Sequence, residues 1–307
     1  MKPAHSLPAA GHGDTNVAAS EIPSFAFDPA DPWTSTFQLG LKRAGLRGKT
    51  VYEVGLGTGT NVAFMLGECG AEKVIGSDLD PRLASVARQL VNDTVPEFGD
   101  RFLAIEGSVS LVDSDEARAA VAGADVVVGC LPQVADPNDK GFIAFRDDHQ
   151  EPGSEAAVER TDDHIAHYYP WIDFNQYPFN AVGLGLNEAL LWQLKAYAPK
   201  AEIILNFGSR IGNRVLFQFF RANGYEPEKL ASRIVRQSDR TDISFFVVLE
   251  KALQGTKQEE EFVCEFYADG KGEQHLSACA AQALLDENPD TPLFHEVCVI
   301  RGRPTGA

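Results

Sequence analysis

The stretch Val51-Tyr-Glu-Val-Gly-Leu-Gly-Thr-Gly-Thr-Asn61 decides the fold. A β-rich run carries an acid, Glu53, and three glycines follow at Gly55, Gly57 and Gly59. An apolar helical pattern then opens at Val62. Glycines there let the backbone bend sharply and approach a ligand closely, because no Cβ blocks either move. The dinucleotide fingerprint G-x-G-x-x-G would need a glycine at position 60, where this chain has Thr60. Glu53, just ahead of the turn, can face a cation. A ligand with a positive centre beside an adenosine fits that layout, and S-adenosylmethionine is one. Another nucleotide is the competing reading of the glycine turn.

Composition narrows the rest. The 307 residues suffice for one large domain or a core domain with an appendage. No run of eighteen apolar residues is present, so a membrane-spanning helix is not expected. Residues 1–24 are rich in Ala, Gly, Pro and Ser, without the apolar block of a signal peptide, and read as a mobile tail. Five cysteines, with no close C-x-x-C pair, argue against a disulfide framework or a zinc site and for a reducing cytoplasm. A formal charge of −17 repels phosphate backbones, so nucleic acid is not expected as a partner. Solubility alone is the plainer reading of that charge.

Outward from the glycine turn, short apolar runs alternate with amphipathic helices. Strands are expected at 49–54, 73–77, 101–105, 125–129, 201–206 and 243–250, and helices at 61–69, from Asp80 and Pro81, 114–122, 188–197 and 211–223. The alternation predicts a doubly wound, Rossmann-like, mostly parallel α/β sheet. Two regions stand outside it. The insertion 133–180 is long, polar and aromatic, and reads as a lid over the substrate. The tail 256–307 reads as strand, helix and strand, a small C-terminal α/β appendage and a candidate homo-oligomer interface. The main domain is then 25–255.

Ligands of an open α/β sheet bind outside the carboxyl ends of its strands. That rule selects Glu53, Gly55, Gly57, Thr58, Gly59 and Asn61 at the first turn. Asp78, with Leu79, follows the second strand at a distance suited to a carboxylate that accepts both ribose hydroxyls. Helix capping is the alternative role for Asp78, but Asp80 suits that role better. Gly107 and Ser108 follow the third strand, where a side chain can meet the adenine amine. The fourth strand ends in Gly129-Cys-Leu-Pro-Gln133, where amino-group methyltransferases often carry an Asn-Pro-Pro-Tyr type turn. Cys130 offers no comparable amide, although backbone carbonyls there can still polarise a methyl group. His164 and His167, with His149 in the same insertion, have metal-like spacing but lack a clear third ligand, and no metal is expected.

Further stretches carry a resemblance. Trp33-Thr-Ser-Thr-Phe37 with Gly40-Leu41, the Glu53 glycine turn, and Gly129-Cys-Leu-Pro-Gln133 followed by Asp136-Pro137-Asn138 are three of them. Gly183-Leu-Gly-Leu186, Asn206-Phe-Gly-Ser-Arg210 and Thr241-Asp-Ile-Ser244 are three more. From about Phe25 to beyond Phe262 the chain resembles the methyltransferase portion of the methionine S-methyltransferases. In length and acidity it looks most like their stand-alone bacterial form. The resemblance implies a class I methyltransferase fold, S-adenosylmethionine as methyl donor, and methionine as the small-molecule substrate. It implies S-methylmethionine as product, in marine bacteria the first step toward dimethylsulfoniopropionate.

A thioether has no proton to lose, so no general base is expected. Cys130, Leu131, Tyr168 and Tyr169 are the candidates for the wall around the transferred methyl. Trp171 and Tyr177 join them as aromatic faces for a soft cation, with plain lid packing as the alternative. Pro132 and Gln133 border the substrate. Arg210 can grip its carboxylate and Asp242 its ammonium, against a surface ion pair and a turn residue as the plainer readings. Trp33, Thr36 and Phe37 are expected to cover the donor, unless they belong to an ordinary N-terminal helix. The competing activity is N-methylation of a small amine, guanidine or amino acid, which needs a group that manages a proton.

Overall fold

The computed structural model describes residues 31–133, 176–237, 243–256, 259–260 and 262–306. The expected tail, the aromatic lid residues Tyr168, Tyr169 and Trp171, the histidines His149, His164 and His167, and Asp242 lie outside them.

The described elements run α1 (Pro32–Ala44), β1 (Thr50–Val54), α2 (Thr60–Gly67), β2 (Lys73–Ser77), α3 (Leu83–Thr94), β3 (Phe102–Ala104), α4 (Asp115–Ala122) and β4 (Val126–Gly129). After the insertion come α5 (Gly185–Tyr197), β5 (Glu202–Gly208), α6 (Asn213–Ala222), β6 (Tyr225–Arg236), α7 (Ser244–Leu253), β7 (Phe266–Tyr267), β8 (His275–Leu276), α8 (Ala278–Glu287) and β9 (Phe294–Pro304). Strands β3, β2, β1, β4 and β5 lie side by side in that order, all parallel. β9 runs antiparallel against β5, and β6 antiparallel against the other side of β9. This is a doubly wound, Rossmann-like α/β sheet with its order reversal between β1 and β4.

Alternation along the strands builds a core on each face. Val51, Val74, Val126, Val128, Ile204 and Val299 pack with Phe37 and Leu41 of α1, Val62 and Met65 of α2, and Ala87 of α3. Tyr52, Val127, Ile203, Leu205 and Ile300 pack with Val121 of α4, Leu190 of α5 and Phe219 of α6. Burial on both sides is why β4 reads as an unbroken valine run. α1 is begun by Asp31, whose Oδ2 accepts the Thr34 N–H at 3.1 Å, with Pro32 at its first turn. Its Gly40 lies on Val299, where a Cβ would meet Val299 Cγ1 at 2.4 Å.

Four expectations are corrected. Residues 243–250 form the start of α7, not a strand: Ile243, Phe246 and Val247 fall on one helical face and pack on Phe266 and Ala278. β6 was not expected at all, because its charged residues and Pro227 mask an edge strand, where both are tolerated. α3 begins at Leu83, two residues after Pro81, while Asp80 Oδ1 accepts the Arg82 N–H at 3.0 Å in the preceding turn. The tail 256–307 is no separate appendage: its strand β9 joins β5 to β6.

Candidate active site

The carboxyl ends of β1, β2, β4 and β5 share one edge of the sheet. Gly55, Gly57 and Gly59 all hold positive φ (79°, 53° and 85°), which lets the chain turn tightly after Val54. A Cβ on Gly59 would lie 2.7 Å from Ala87 Cα, so this glycine also lets α3 close on the turn. Asp78 braces the loop from β2. Its Oδ2 accepts the Gly57 N–H at 2.9 Å and its Oδ1 the Asp80 N–H at 2.9 Å. A carboxylate has more acceptor sites than these bonds use, which leaves capacity for a ligand hydroxyl. Burial pushes the Asp78 carboxyl up to about 6, against the lowering effect of those backbone bonds. The Leu79 carbonyl accepts the Ser108 hydroxyl at 2.7 Å, and Gly107, at φ 87°, leaves open space beside it.

Glu53 is buried at the centre of this edge. Its Oε1 accepts the Asn61 amide at 3.3 Å, while its Oε2 has no hydrogen-bond partner among the described residues. Burial pushes the Glu53 carboxyl up to about 8, the Asn61 bond opposes this, and the Asp78 charge adds to it. At the end of β4, burial likewise pushes the Cys130 thiol up to about 12, so it stays neutral. Its Sγ accepts Asn206 Nδ2 at 3.5 Å, and the same nitrogen donates to the Trp33 carbonyl at 3.4 Å. Leu131 is buried, and its Cδ2 would lie 3.8 Å from a Cβ on Gly55. The Pro132 carbonyl accepts Asn187 Nδ2 at 3.2 Å. Gln133 Oε1 accepts the Gly208 N–H at 2.7 Å and so ties the turn after β4 to the end of β5.

A second cluster stands at the end of β5. Arg210 Nε donates to Gln237 Oε1 at 2.9 Å, and its Nη2 donates to His295 Nε2 at 3.1 Å. The guanidinium lies 5.9 Å from the Trp33 ring centroid and 6.0 Å from that of Phe246. Burial lowers Arg210 to about 10, so it is charged at neutral pH. His295 is held well below the ordinary histidine range by burial and then by the Arg210 charge, and is neutral.

Several buried polar atoms at this edge have no partner among the described residues. At the glycine turn and the ends of β4 and β5 they are acceptors: Glu53 Oε2, Asn61 Oδ1, Asn187 Oδ1 and Asn206 Oδ1. On the two side chains that bond Arg210 they are donors, Gln237 Nε2 and His295 Nδ1, while Asn213 Oδ1 nearby is a further acceptor. Arginine only donates, so Gln237 must offer it oxygen and His295 a bare Nε2, which leaves an N–H on each outer nitrogen. Buried orphans of this kind are costly unless a ligand or water meets them.

The structure brings together most of the described residues expected at the site and draws others away. Thr36 bonds its hydroxyl to the Pro32 carbonyl at 2.7 Å, and Phe37 is core, so of the three expected donor-covering residues Trp33 alone is seen to reach this edge, beside Arg210. Tyr177 packs edge-to-face on Trp192 of α5, centroids 5.0 Å apart. Trp192 lies about one and a half turns beyond Asn187 along that helix. Gln237, His295 and Asn187 carry no sequence motif of their own, whereas Asn206 opens the Asn206-Phe-Gly-Ser-Arg210 stretch. Gln237 and His295 lie 27 and 85 residues from Arg210.

The chain is 30% identical over 278 residues to the methionine S-methyltransferase of Zea mays and 29% identical over 278 residues to that of Hordeum vulgare. It is similar in sequence to the methionine S-methyltransferases. Each match takes in 86% of this chain and 24% of the relative, so the chain spans about a quarter of the length of these S-methyltransferases. The S-methyltransferase of Arabidopsis thaliana is 26% identical over 275 residues, with the same partial span. No family model matches the chain. Among solved structures, a SAM-dependent methyltransferase from Geobacter sulfurreducens in complex with S-adenosyl-L-homocysteine superposes with a TM-score of 0.39. It is 13% identical, over 90% of this chain and 93% of that one.

Proposed function

We propose that the chain is an S-adenosylmethionine-dependent methyltransferase acting on the thioether sulfur of L-methionine, with S-methylmethionine as product. The observation that carries this reading is the division of one sheet edge into an acceptor cluster around Glu53 and a donor cluster around Arg210. The similarity to methionine S-methyltransferases supports it.

Glu53, Asn61 and Asp78 suit the donor: orphaned oxygens for its ammonium and a braced carboxylate for its ribose. Gly55, Gly57, Thr58 and Gly59 would cradle it, with Leu79, Gly107 and Ser108 near the adenine. When bound, the donor supplies a methyl group already activated on a cationic sulfur. Arg210 would hold the acceptor's carboxylate, and Tyr168, Tyr169, Trp171 and Asp242 are proposed to close round its sulfur and ammonium. Cys130, Leu131, Pro132, Gln133 and Tyr177 would border the reacting sulfurs. No residue has to remove a proton, and the neutral Cys130 thiol adds no charge beside them. Holding both sulfurs in line can contribute about 7–11 kcal/mol to the rate. We further propose a cytoplasmic enzyme whose product, in a marine bacterial setting, enters dimethylsulfoniopropionate synthesis.

Incubation with labelled donor and a panel of free amino acids and small amines, read by mass spectrometry, tests the reading. Label in a methionine-derived sulfonium is the expected result. Label only in amines or guanidines would replace it with N-methylation.

A further inference from the structure

Arg210 is a half-buried cation with no carboxylate partner among the described residues. This is not for want of acids nearby. The Glu265 N–H donates to the Arg210 carbonyl at 2.8 Å, and Glu296 follows His295 directly in β9. Both carboxylates are held elsewhere. Glu265 Oε1 accepts the Asn213 N–H at 3.3 Å and its Oε2 accepts Asn213 Nδ2 at 2.9 Å. Glu296 Oε2 accepts the same Nδ2 at 2.6 Å, and Lys229 Nζ donates to both Glu296 oxygens at 3.0 Å. What touches the guanidinium instead is neutral: the Gln237 amide oxygen and the bare His295 Nε2.

That arrangement costs stability. A guanidinium largely removed from water gains more from a carboxylate than from neutral acceptors. Two of its five N–H groups are used, and Nη1 makes no hydrogen bond to the described residues. Gly208 keeps room there, since a Cβ on it would stand 3.3 Å from Nη1 and 3.0 Å from Trp33. Among the described residues the cation is therefore fixed in direction but not compensated in charge, as a site for an incoming anion requires.

We propose that Gln237 and His295 are positioning residues that make the acceptor's carboxylate obligatory. They aim Arg210 by two uncharged bonds and leave its full charge for the substrate. The proposal rests on the substrate reading above and goes beyond it: specificity lies not in Arg210 alone but in the neutrality of what holds it. Acceptors that carry the same thioether but an alcohol or amide in place of the carboxylate are excluded.

The deciding variant is Gln237→Glu, nearly identical in shape, which gives Arg210 an internal counter-ion. Its KM for L-methionine is expected to rise about thirtyfold, with kcat within about threefold. Its turnover of methioninol should match the wild type's low rate, and its affinity for adenosylhomocysteine by calorimetry should stay within about twofold. His295→Gln keeps a neutral acceptor and should hold the methionine KM within about fivefold. A Gln237→Glu protein with unchanged methionine KM, or with equal losses on methionine and methioninol, overturns the clamp while leaving the substrate reading intact. If wild-type protein methylates another carboxylic acid and not methionine, the substrate reading falls, and the same contrast on that acid decides the clamp. Methyl transfer confined to acceptors without a carboxylate overturns both.

Discussion

Glu53 is the residue whose chemistry is most exposed to measurement. Its carboxyl titrates near 8 in the donor-free protein against an ordinary value of 4.5. The folded state therefore keeps a proton that the unfolded state releases as pH rises from about 4.5 to 8, and the stability of the donor-free protein falls across that window. A cationic donor favours the ionised form, so its binding expels the proton. Donor affinity should rise with pH between about 6 and 8, level off above that, and lose this dependence in Glu53→Gln. Calorimetric titration of the donor at several pH values checks it. At neutral pH and above, the same substitution should weaken donor binding about ten- to a hundredfold, the worth of one charge-assisted bond. An unchanged pH profile would remove Glu53 from the donor site.

Among the elements, α1 shows how closely the sheet is covered. A Cβ at Gly40 would overlap the Val299 side chain at its branch point, 2.4 Å from Cγ1 and 2.6 Å from Cβ. Gly40→Ala gains about 1 kcal/mol in helix propensity, which an overpacking cost of roughly 1–3 kcal/mol outweighs. A net loss of up to about 2 kcal/mol in denaturant unfolding is expected, smaller when the substitution is made in a Val299→Ala background. The elements legible in the sequence were those with local signals: the glycine turn, the valine run of β4, the Ser114 cap of α4. β6 and α7 were not, because each takes its form from distant partners, β6 from β9 and α7 from β7 and α8. The site divides likewise. Glu53, Asp78 and Arg210 stand at strand ends that the alternation marks. The residues that bond Arg210 come from just past the end of β6 and from the start of β9, and no spacing announces them.

For the whole molecule the decisive fact is that β9 pairs with β5 on one side and β6 on the other. A chain ended before Phe294 should lose both pairings, the buried Val297, Cys298, Val299 and Ile300, and His295 beside Arg210. We expect such a truncation to give no cooperative thermal transition and no adenosylhomocysteine binding. A truncated protein that melted cooperatively would mean that the parallel half stands without the strand. The position of β9 also bears on biosynthesis. β5 and β6 leave the ribosome well before the strand that must lie between them. Until it arrives, the edge of β5 stays open to pairing with foreign strands, a hazard that a chaperone or rapid late translation would have to cover.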